Sequence, residues 1–168
     1  MTELHFLPVR VVESPESTEF FLQITKLDRE VWGEGPGARA VPDGEHAWRI
    51  WTEHAYVAAA IDSTGDLAGS LVAFPTVDPR SYFVHKLFVA PRSRRSGMGR
   101  LLLAHFCTYA DQQAVSSAFS TDPGNNAMIE LSDSFGFRTT DLVKEYYGPG
   151  KDRLIRVRDT QQITPVKD

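Results

Sequence analysis

Cysteine is nearly absent from this chain, and the sequence features of membrane and secreted proteins are absent too. The one cysteine, Cys107, excludes an internal disulfide. Its apolar helical context indicates a small core residue rather than a nucleophile. No apolar run approaches the roughly 20 residues of a transmembrane helix, and residues 1–13 lack the long apolar stretch of a signal peptide. These absences predict a cytoplasmic protein that does not enter a membrane.

Clustered metal ligands and an excess of positive charge are lacking as well. The five histidines, at positions 5, 46, 54, 85 and 105, have no ligand spacing with one another or with Cys107, so we predict no metal site. The formal net charge is −4, whereas the basic residues concentrate between positions 92 and 100. A local basic patch on an acidic chain suits a small phosphorylated ligand better than a nucleic acid.

That patch belongs to residues 89–103, which read VAPRSRRSGMGRLLL. The pattern predicts a strand end, a basic turn with Gly97 and Gly99, and a leucine-rich helix. The first backbone N–H groups of a helix have no intrahelical partner, and the helix dipole adds positive charge at the same point. Glycines let a ligand approach the backbone closely. The turn therefore predicts a phosphate site, surrounded by Arg92, Arg94, Arg95 and Arg100.

Two common phosphate motifs do not fit the turn. A P-loop requires G-x-x-x-x-G-K-[ST], but Gly99 is followed by Arg100 and Leu101. A dinucleotide fold requires G-x-G-x-x-G, but after Gly97 and Gly99 the third position is Leu102. Either a different phosphate loop or an ordinary basic turn that caps a helix remains.

The periodicity along the chain predicts one α/β domain spanning residues 1–168, with a frayed polar tail at 159–168. We expect a mixed sheet with helices on its faces, in the order β-α-(α)-β-β-β-α-β-α-β-β. The predicted strands cover residues 4–12, 55–61, 67–74, 82–89, 115–120, 137–147 and 153–157. The predicted helices start at Pro15 and run to Val31, then cover residues 44–53, 98–113 and 126–135.

Arg94, Gly97 and Gly99 fit R/Q-x-x-G-x-G/A after a strand, and the segment resembles the acetyl-coenzyme A pyrophosphate loop of the GNAT superfamily of N-acetyltransferases. Asn125, followed by Gly136 and Phe137, is similar to a second GNAT pattern, N-x-x-A-x-x-x-Y-x-x-x-G-F. The resemblance implies the GNAT acyl-CoA N-acyltransferase fold, with a mostly antiparallel sheet of about seven strands. It also implies acetyl-CoA as co-substrate, held by Leu87, Phe88, Val89, Arg94, Arg95, Ser96, Gly97, Met98, Gly99, Arg100 and Asn125.

Residues 144–152, KEYYGPGKD, resemble the YY-x-x-G-x-D ending of the GNAT branch that acetylates protein N-termini and ribosomal proteins. This similarity implies a peptide N-terminus as acceptor. Packing within a hairpin explains an aromatic pair before a Gly-Pro turn equally well.

The chain departs from the family at two catalytic positions. Ser132 stands where many GNAT enzymes have a tyrosine acid, and Ser120 stands where a glutamate base is often found. We take His85, on the strand before the turn, as the candidate base, against the alternative of a histidine stacked on the sheet. Tyr146 and Tyr147 are the candidate substitute acids.

The leading hypothesis is an N-acetyltransferase that acts on a primary amine of a small molecule or a peptide N-terminus. The alternatives are a CoA-binding sensor without catalysis and an interaction protein that uses the aromatic residues between positions 32 and 51. A strand edge near the C-terminus could also pair two copies into a homodimer.

Overall fold

A computed structural model describes residues 9–33 and 41–160 of the chain. The strands are β1 (Arg10–Glu13), β2 (Tyr56–Ile61), β3 (Leu67–Pro75), β4 (Ser81–Val89), β5 (Ser116–Thr121), β6 (Arg138–Val143) and β7 (Arg153–Arg158). The α-helices are α1 (Phe21–Trp32), α2 (Glu45–His54), α3 (Met98–Gln112) and α4 (Asn126–Asp133). Short 3-10 helices cover Glu16–Phe20 and Pro91–Ser93.

The seven strands form one sheet in the order β1-β2-β3-β4-β5-β7-β6. The pairs β1–β2, β5–β7 and β6–β7 are antiparallel, whereas β4 and β5 are parallel and pair residues 81–83 with residues 116–118. This mixed, mostly antiparallel sheet with flanking helices confirms the predicted α/β fold class and element order.

By the density of its internal contacts, the chain divides into two compact units, and the prediction of a single domain stays a prediction. The first unit comprises residues 1–72 and 86–103. Its strand β2, YVAAAI, is buried at every position, as a continuous apolar run predicts. Ile24 and Leu27 lie one helical turn apart on α1 and are buried, and the indole of Trp48 on α2 is fully buried.

The second unit comprises residues 73–85 and 104–168. Alternate residues of β5 are buried, as expected for a strand with two different faces. Buried arginines of β7 tie the strand to two helices. Arg158 makes two hydrogen bonds to the carboxylate of Asp111 on α3, at 2.8 and 2.7 Å, while Arg156 pairs with Asp133 of α4 and donates to the carbonyl of Phe137.

Two predicted boundaries differ from the structure. The helix expected from Pro15 begins as the 3-10 helix Glu16–Phe20 and becomes α-helical at Phe21. The strand expected to reach Tyr147 ends at Val143, because Glu145 takes a positive φ of 52° and the chain turns there. Residues 4–8 of the predicted first strand and most of the predicted frayed tail lie outside the described residues.

Cys107 is 4% exposed on α3, which confirms its interpretation as a core residue. Within residues 9–33 and 41–160, no helix is both long and apolar enough to cross a membrane.

Candidate functional site

The basic turn follows β4 through a short, hydrogen-bonded bend in the first unit. The N–H of Ala90 donates to the carbonyl of Ala68 on β3 at 2.8 Å, and Pro91 then opens the 3-10 helix Pro91–Ser93. Ser93 closes that helix by donating to the carbonyl of Ala90, also at 2.8 Å. Pro91 suits this position because a first helical residue needs no N–H.

The turn itself requires left-handed backbone at two residues, with φ of 61° at Arg95 and 82° at Gly97. Helix α3 starts directly afterwards, and the N–H of Leu101 donates to the carbonyl of Gly97 at 2.9 Å. The N–H groups of Met98 and Gly99 precede this bond, so helix geometry leaves them without intrahelical acceptors. A Cβ on Gly97 would meet no protein atom within 4 Å, so there is room for a ligand beside the turn.

All four arginines expected around the turn are exposed: Arg92, Arg94, Arg95 and Arg100. Arg92 also has protein partners: its guanidinium donates to the carbonyl of Leu67 at 3.0 Å and lies 3.4 Å from the carboxylate of Asp62. Hydrogen bonds from Thr64, together with the one from Arg92, lower the pKa of Asp62. Arg92 therefore ties the turn to the hairpin between β2 and β3.

The last residues of β4 lead into this turn. Leu87 and Val89 are half-buried, and Phe88 is buried against the indole of Trp48, with ring centroids 5.8 Å apart. Trp48 is a core residue of the first unit.

His85, the candidate base, is an exposed residue of β4 and belongs to the second unit. Its ring lies 5.8 Å from the ring of Phe74, centroid to centroid, at an angle of 57°. The His85 ring therefore packs against Phe74, as a histidine stacked on the sheet would, and it is also accessible to solvent, as a base must be.

Asn125 and Ser132 belong to α4 and its N-terminal cap. The side-chain oxygen of Asn125 accepts from the N–H of Met128, and its amide nitrogen donates to the hydroxyl of Thr121, both at 3.3 Å. Ser132 is fully buried and donates to the carbonyl of Ile129 at 3.0 Å. Both side chains have structural partners here, and the placement of Ser132 argues against an acid role.

Tyr146 and Tyr147, the substitute acids, lie in the turn after β6 and are 42% and 55% exposed. Their rings meet edge to face with centroids 4.7 Å apart, and the guanidinium of Arg153 lies 5.0 Å from the ring of Tyr147. Asp152 closes the turn by accepting from the ammonium of Lys144 at 2.7 Å and from the N–H of Glu145 at 3.0 Å. Two exposed phenols are therefore held in a fixed loop.

A buried ionic cluster in the first unit is not evident from the sequence. Lys86 of β4 pairs with Asp28 of α1 at 2.9 Å and with Asp43 at 2.6 Å. The signal that could have revealed it is a lysine at a strand position where its neighbours Val84 and Phe88 are buried.

The family of the chain follows from comparison with known proteins. The model of the acetyltransferase (GNAT) family matches residues 21–137, more than half of the chain and the whole turn. The chain belongs to the GNAT acetyltransferase family. This membership confirms the resemblance and the prediction of an acetyl-CoA-dependent acyltransferase.

Solved structures with a GNAT fold are similar over nearly the whole chain. The ribosomal-protein-S18-alanine N-acetyltransferase of Escherichia coli superposes with a TM-score of 0.73 at 18% identity, covering 95% of this chain and 100% of that one. The protein yncA of Salmonella typhimurium, solved with its cofactor acetyl-CoA, gives a TM-score of 0.77 at 15% identity, covering 95% and 98%. Aminoglycoside 6'-acetyltransferase type Ii gives 0.73 at 17% identity, covering 94% and 99%. No curated protein matches the chain significantly in sequence.

Proposed function

We propose that this GNAT chain transfers the acetyl group of acetyl-CoA directly to a primary amine, either of a small molecule or of a peptide N-terminus. One observation carries the proposal: the turn of Gly97 opens α3 with room beside it and with N–H groups available for an anion. Relatives of the same fold include one that was solved with acetyl-CoA and others whose acceptors are protein or aminoglycoside amines.

The donor's pyrophosphate would bind at this turn. The N–H groups of Met98 and Gly99 would donate to its oxygens, and Arg94, Arg95 and Arg100 would add positive charge around them. The helix dipole stabilises a negative charge at a helix N-terminus by about 0.3–1 kcal/mol where the site is exposed. The family pattern at Asn125 adds an expected contact to the coenzyme.

The thioester would lie along the end of β4, where a backbone N–H of residues 87–89 polarises its carbonyl. The amine nitrogen attacks the carbonyl carbon and a C–N bond forms. The tetrahedral intermediate then collapses, the C–S bond breaks, and the coenzyme leaves as a thiolate. Holding the amine against the thioester supplies a large part of the acceleration.

Two proton transfers complete the reaction. His85 is the proposed acceptor of the amine's proton, directly or through water, because it is exposed and histidine is the side chain that most often serves as a general base. Tyr146 or Tyr147 is the proposed donor to the thiolate. An α-amino group, with a reference pKa of about 8, needs less help from a base than a lysine does.

The experiment is thiol release from acetyl-CoA in the presence of a panel of amines, including peptides with free N-termini and aminoglycosides, with the acetylated product identified by mass. We expect release that depends on both protein and amine and that falls in His85→Gln. Binding of acetyl-CoA with no turnover across the panel would contradict the proposal.

That outcome would instead support a CoA-binding module without catalysis. The observation in its favour is that Ser132 occupies the family's tyrosine position and that its hydroxyl donates to the carbonyl of Ile129. Turnover of any one amine excludes this second function.

A further inference from the structure

Two carboxylates and one ammonium group lie together in the first unit. Asp28 on α1 is fully buried, and Lys86 on β4 is 8% exposed. The ammonium of Lys86 lies 2.9 Å from one oxygen of Asp28 and 2.6 Å from an oxygen of Asp43, which precedes α2. It also lies 5.8 Å from the ring of Trp32.

One oxygen of Asp28 accepts three hydrogen bonds. It accepts from the backbone N–H of Asp43 at 2.7 Å, from the indole N–H of Trp48 on α2 at 3.0 Å, and from Lys86 at 3.1 Å. Lys86 also donates to the carbonyl of Val41 at 3.3 Å. Residues 41–43 are thus held to α1 and β4 by hydrogen bonds and an ion pair.

Stability alone does not explain a lysine at this position. Burying an ion pair costs desolvation, and apolar replacements of similar volume often leave a protein as stable or more so. An apolar side chain at position 86 would match the burial of Val84 and Phe88 on the same strand. The ionic cluster instead defines one arrangement of the segment, because its hydrogen bonds are directional.

We propose that Lys86 is a positioning residue that, with Asp28 and Asp43, holds residues 41–43 and α2 at a fixed distance from β4 and thereby sets acceptor selectivity. This inference rests on the proposed function, in which the thioester lies along residues 87–89. Lys86 directly precedes that stretch, and Trp48, bonded to Asp28, packs on Phe88 within it. The segment that these contacts fix therefore adjoins the strand expected to carry the reacting carbonyl.

Removing the ammonium has a consequence beyond lost packing. The N–H of Asp43 is bonded to Asp28, which holds the two carboxylates near each other. Lys86→Met leaves them without the cation between them, and their repulsion should push residues 41–43 away from α1. Adding Asp43→Asn removes the repulsion, so the double variant should recover part of the arrangement.

Hydrogen exchange on the full chain tests the positioning directly and needs no turnover. We expect exchange of the Asp43 amide to accelerate by about tenfold or more in Lys86→Met and to be partly restored in Lys86→Met/Asp43→Asn. Ile24→Ala, a buried truncation on α1 outside the cluster, is the control for general destabilisation. Equal acceleration in the control, or no rescue in the double variant, would overturn the inference.

Should Lys86→Met fail to fold, Asp43→Asn alone keeps the Lys86–Asp28 pair and removes one contact of the cluster. We then expect faster exchange confined to residues 41–43. Unchanged exchange in this variant would overturn the inference.

Kinetics test the effect on selectivity. We expect Lys86→Met to raise the KM for the preferred amine by about tenfold and to narrow the preference among amines, with the KM for acetyl-CoA little changed. Lys86→Met/Asp43→Asn should recover part of both the KM for the amine and the preference. Equal changes in both KM values, or an unaltered preference, would overturn the selectivity role. If the wild-type protein turns over no amine, the proposed function fails, whereas hydrogen exchange still decides whether Lys86 positions the segment.

Discussion

A methyl group on Gly69 would lie 2.8 Å from the carbonyl oxygen of Phe88, closer than real Cβ contacts allow. It would also lie 3.1 Å from Cδ1 of Leu102 on α3 and 3.3 Å from Cα of Val89. The absence of a side chain at position 69 therefore permits β3, the end of β4 and α3 to approach one another. The strand proposed to hold the thioester depends on that approach.

Gly69→Ala should consequently disturb the end of β4, where the thioester is proposed to lie. Because two of the three contacts are backbone atoms, the strand must shift, and we expect a loss of about 1–3 kcal/mol in the free energy of unfolding. Urea unfolding measures this loss, and acetyl-CoA titration should show weaker binding. Gly44→Ala, which meets no atom within 4 Å, should cost less than about 1 kcal/mol. Equal losses in the two variants would contradict the role of Gly69.

Gly97→Ala should weaken acetyl-CoA binding beyond any effect that backbone strain alone has on the affinity. The variant suffers backbone strain of about 1–2 kcal/mol at φ 82°, and its methyl group projects into the space proposed for the pyrophosphate. Gly65→Ala is a matched control, since Gly65 has φ 86° and equally open surroundings but lies in the β2–β3 hairpin. Calorimetry should show weakened binding in Gly97→Ala alone. Similar affinities in both variants would exclude the turn as the donor site.

Arg94→Gln should weaken acetyl-CoA binding by about tenfold and reduce its dependence on salt, because one exposed charge beside the phosphates is lost. Arg92→Gln should change the affinity far less, since Arg92 is engaged with Asp62 and the carbonyl of Leu67. Titrations of both variants at two salt concentrations make the comparison. A larger loss in Arg92→Gln would show that the hairpin contact gives way to the ligand.

Cys107 should make the fold less stable at alkaline pH. Burial raises the pKa of its thiol from the ordinary 9.0 to about 11. The unfolded thiol ionises first, so its contribution to stability is complete below pH 9 and is lost as the pH rises towards 11. Urea midpoints should therefore fall more steeply with pH in the wild-type protein than in Cys107→Ala. Parallel pH dependences in the two proteins would contradict the raised pKa.

Local patterns account for what the sequence predicted well. The alternation of β5, the apolar run of β2 and the glycine turn before α3 each depend on neighbouring residues, and the structure has all three elements within a residue or two of the predicted positions. The end of β6 escaped prediction because the turn at Glu145 is stabilised by Asp152, seven residues further on.

Contacts between distant residues account for what the sequence did not predict. Lys86 pairs with Asp28, 58 residues earlier, and Arg92 donates to Leu67, 25 residues earlier. A charge pattern along the chain does not reveal such partners. It groups Arg92 with the arginines expected to bind phosphate, and it gives no sign of the partners of Lys86. Likewise, only the fold shows that the indole of Trp48 donates to Asp28, 20 residues earlier.

The most direct test of the account is a calorimetric titration of acetyl-CoA into the wild-type protein, Gly97→Arg and Gly65→Arg. Both substitutions place the same side chain on a glycine with positive φ and open surroundings, but only Gly97 lies in the basic turn before α3. We predict saturable binding to the wild-type protein and to Gly65→Arg, and none to Gly97→Arg. Absence of heat with the wild-type protein, or equal binding by all three, would contradict acetyl-CoA recognition at this turn.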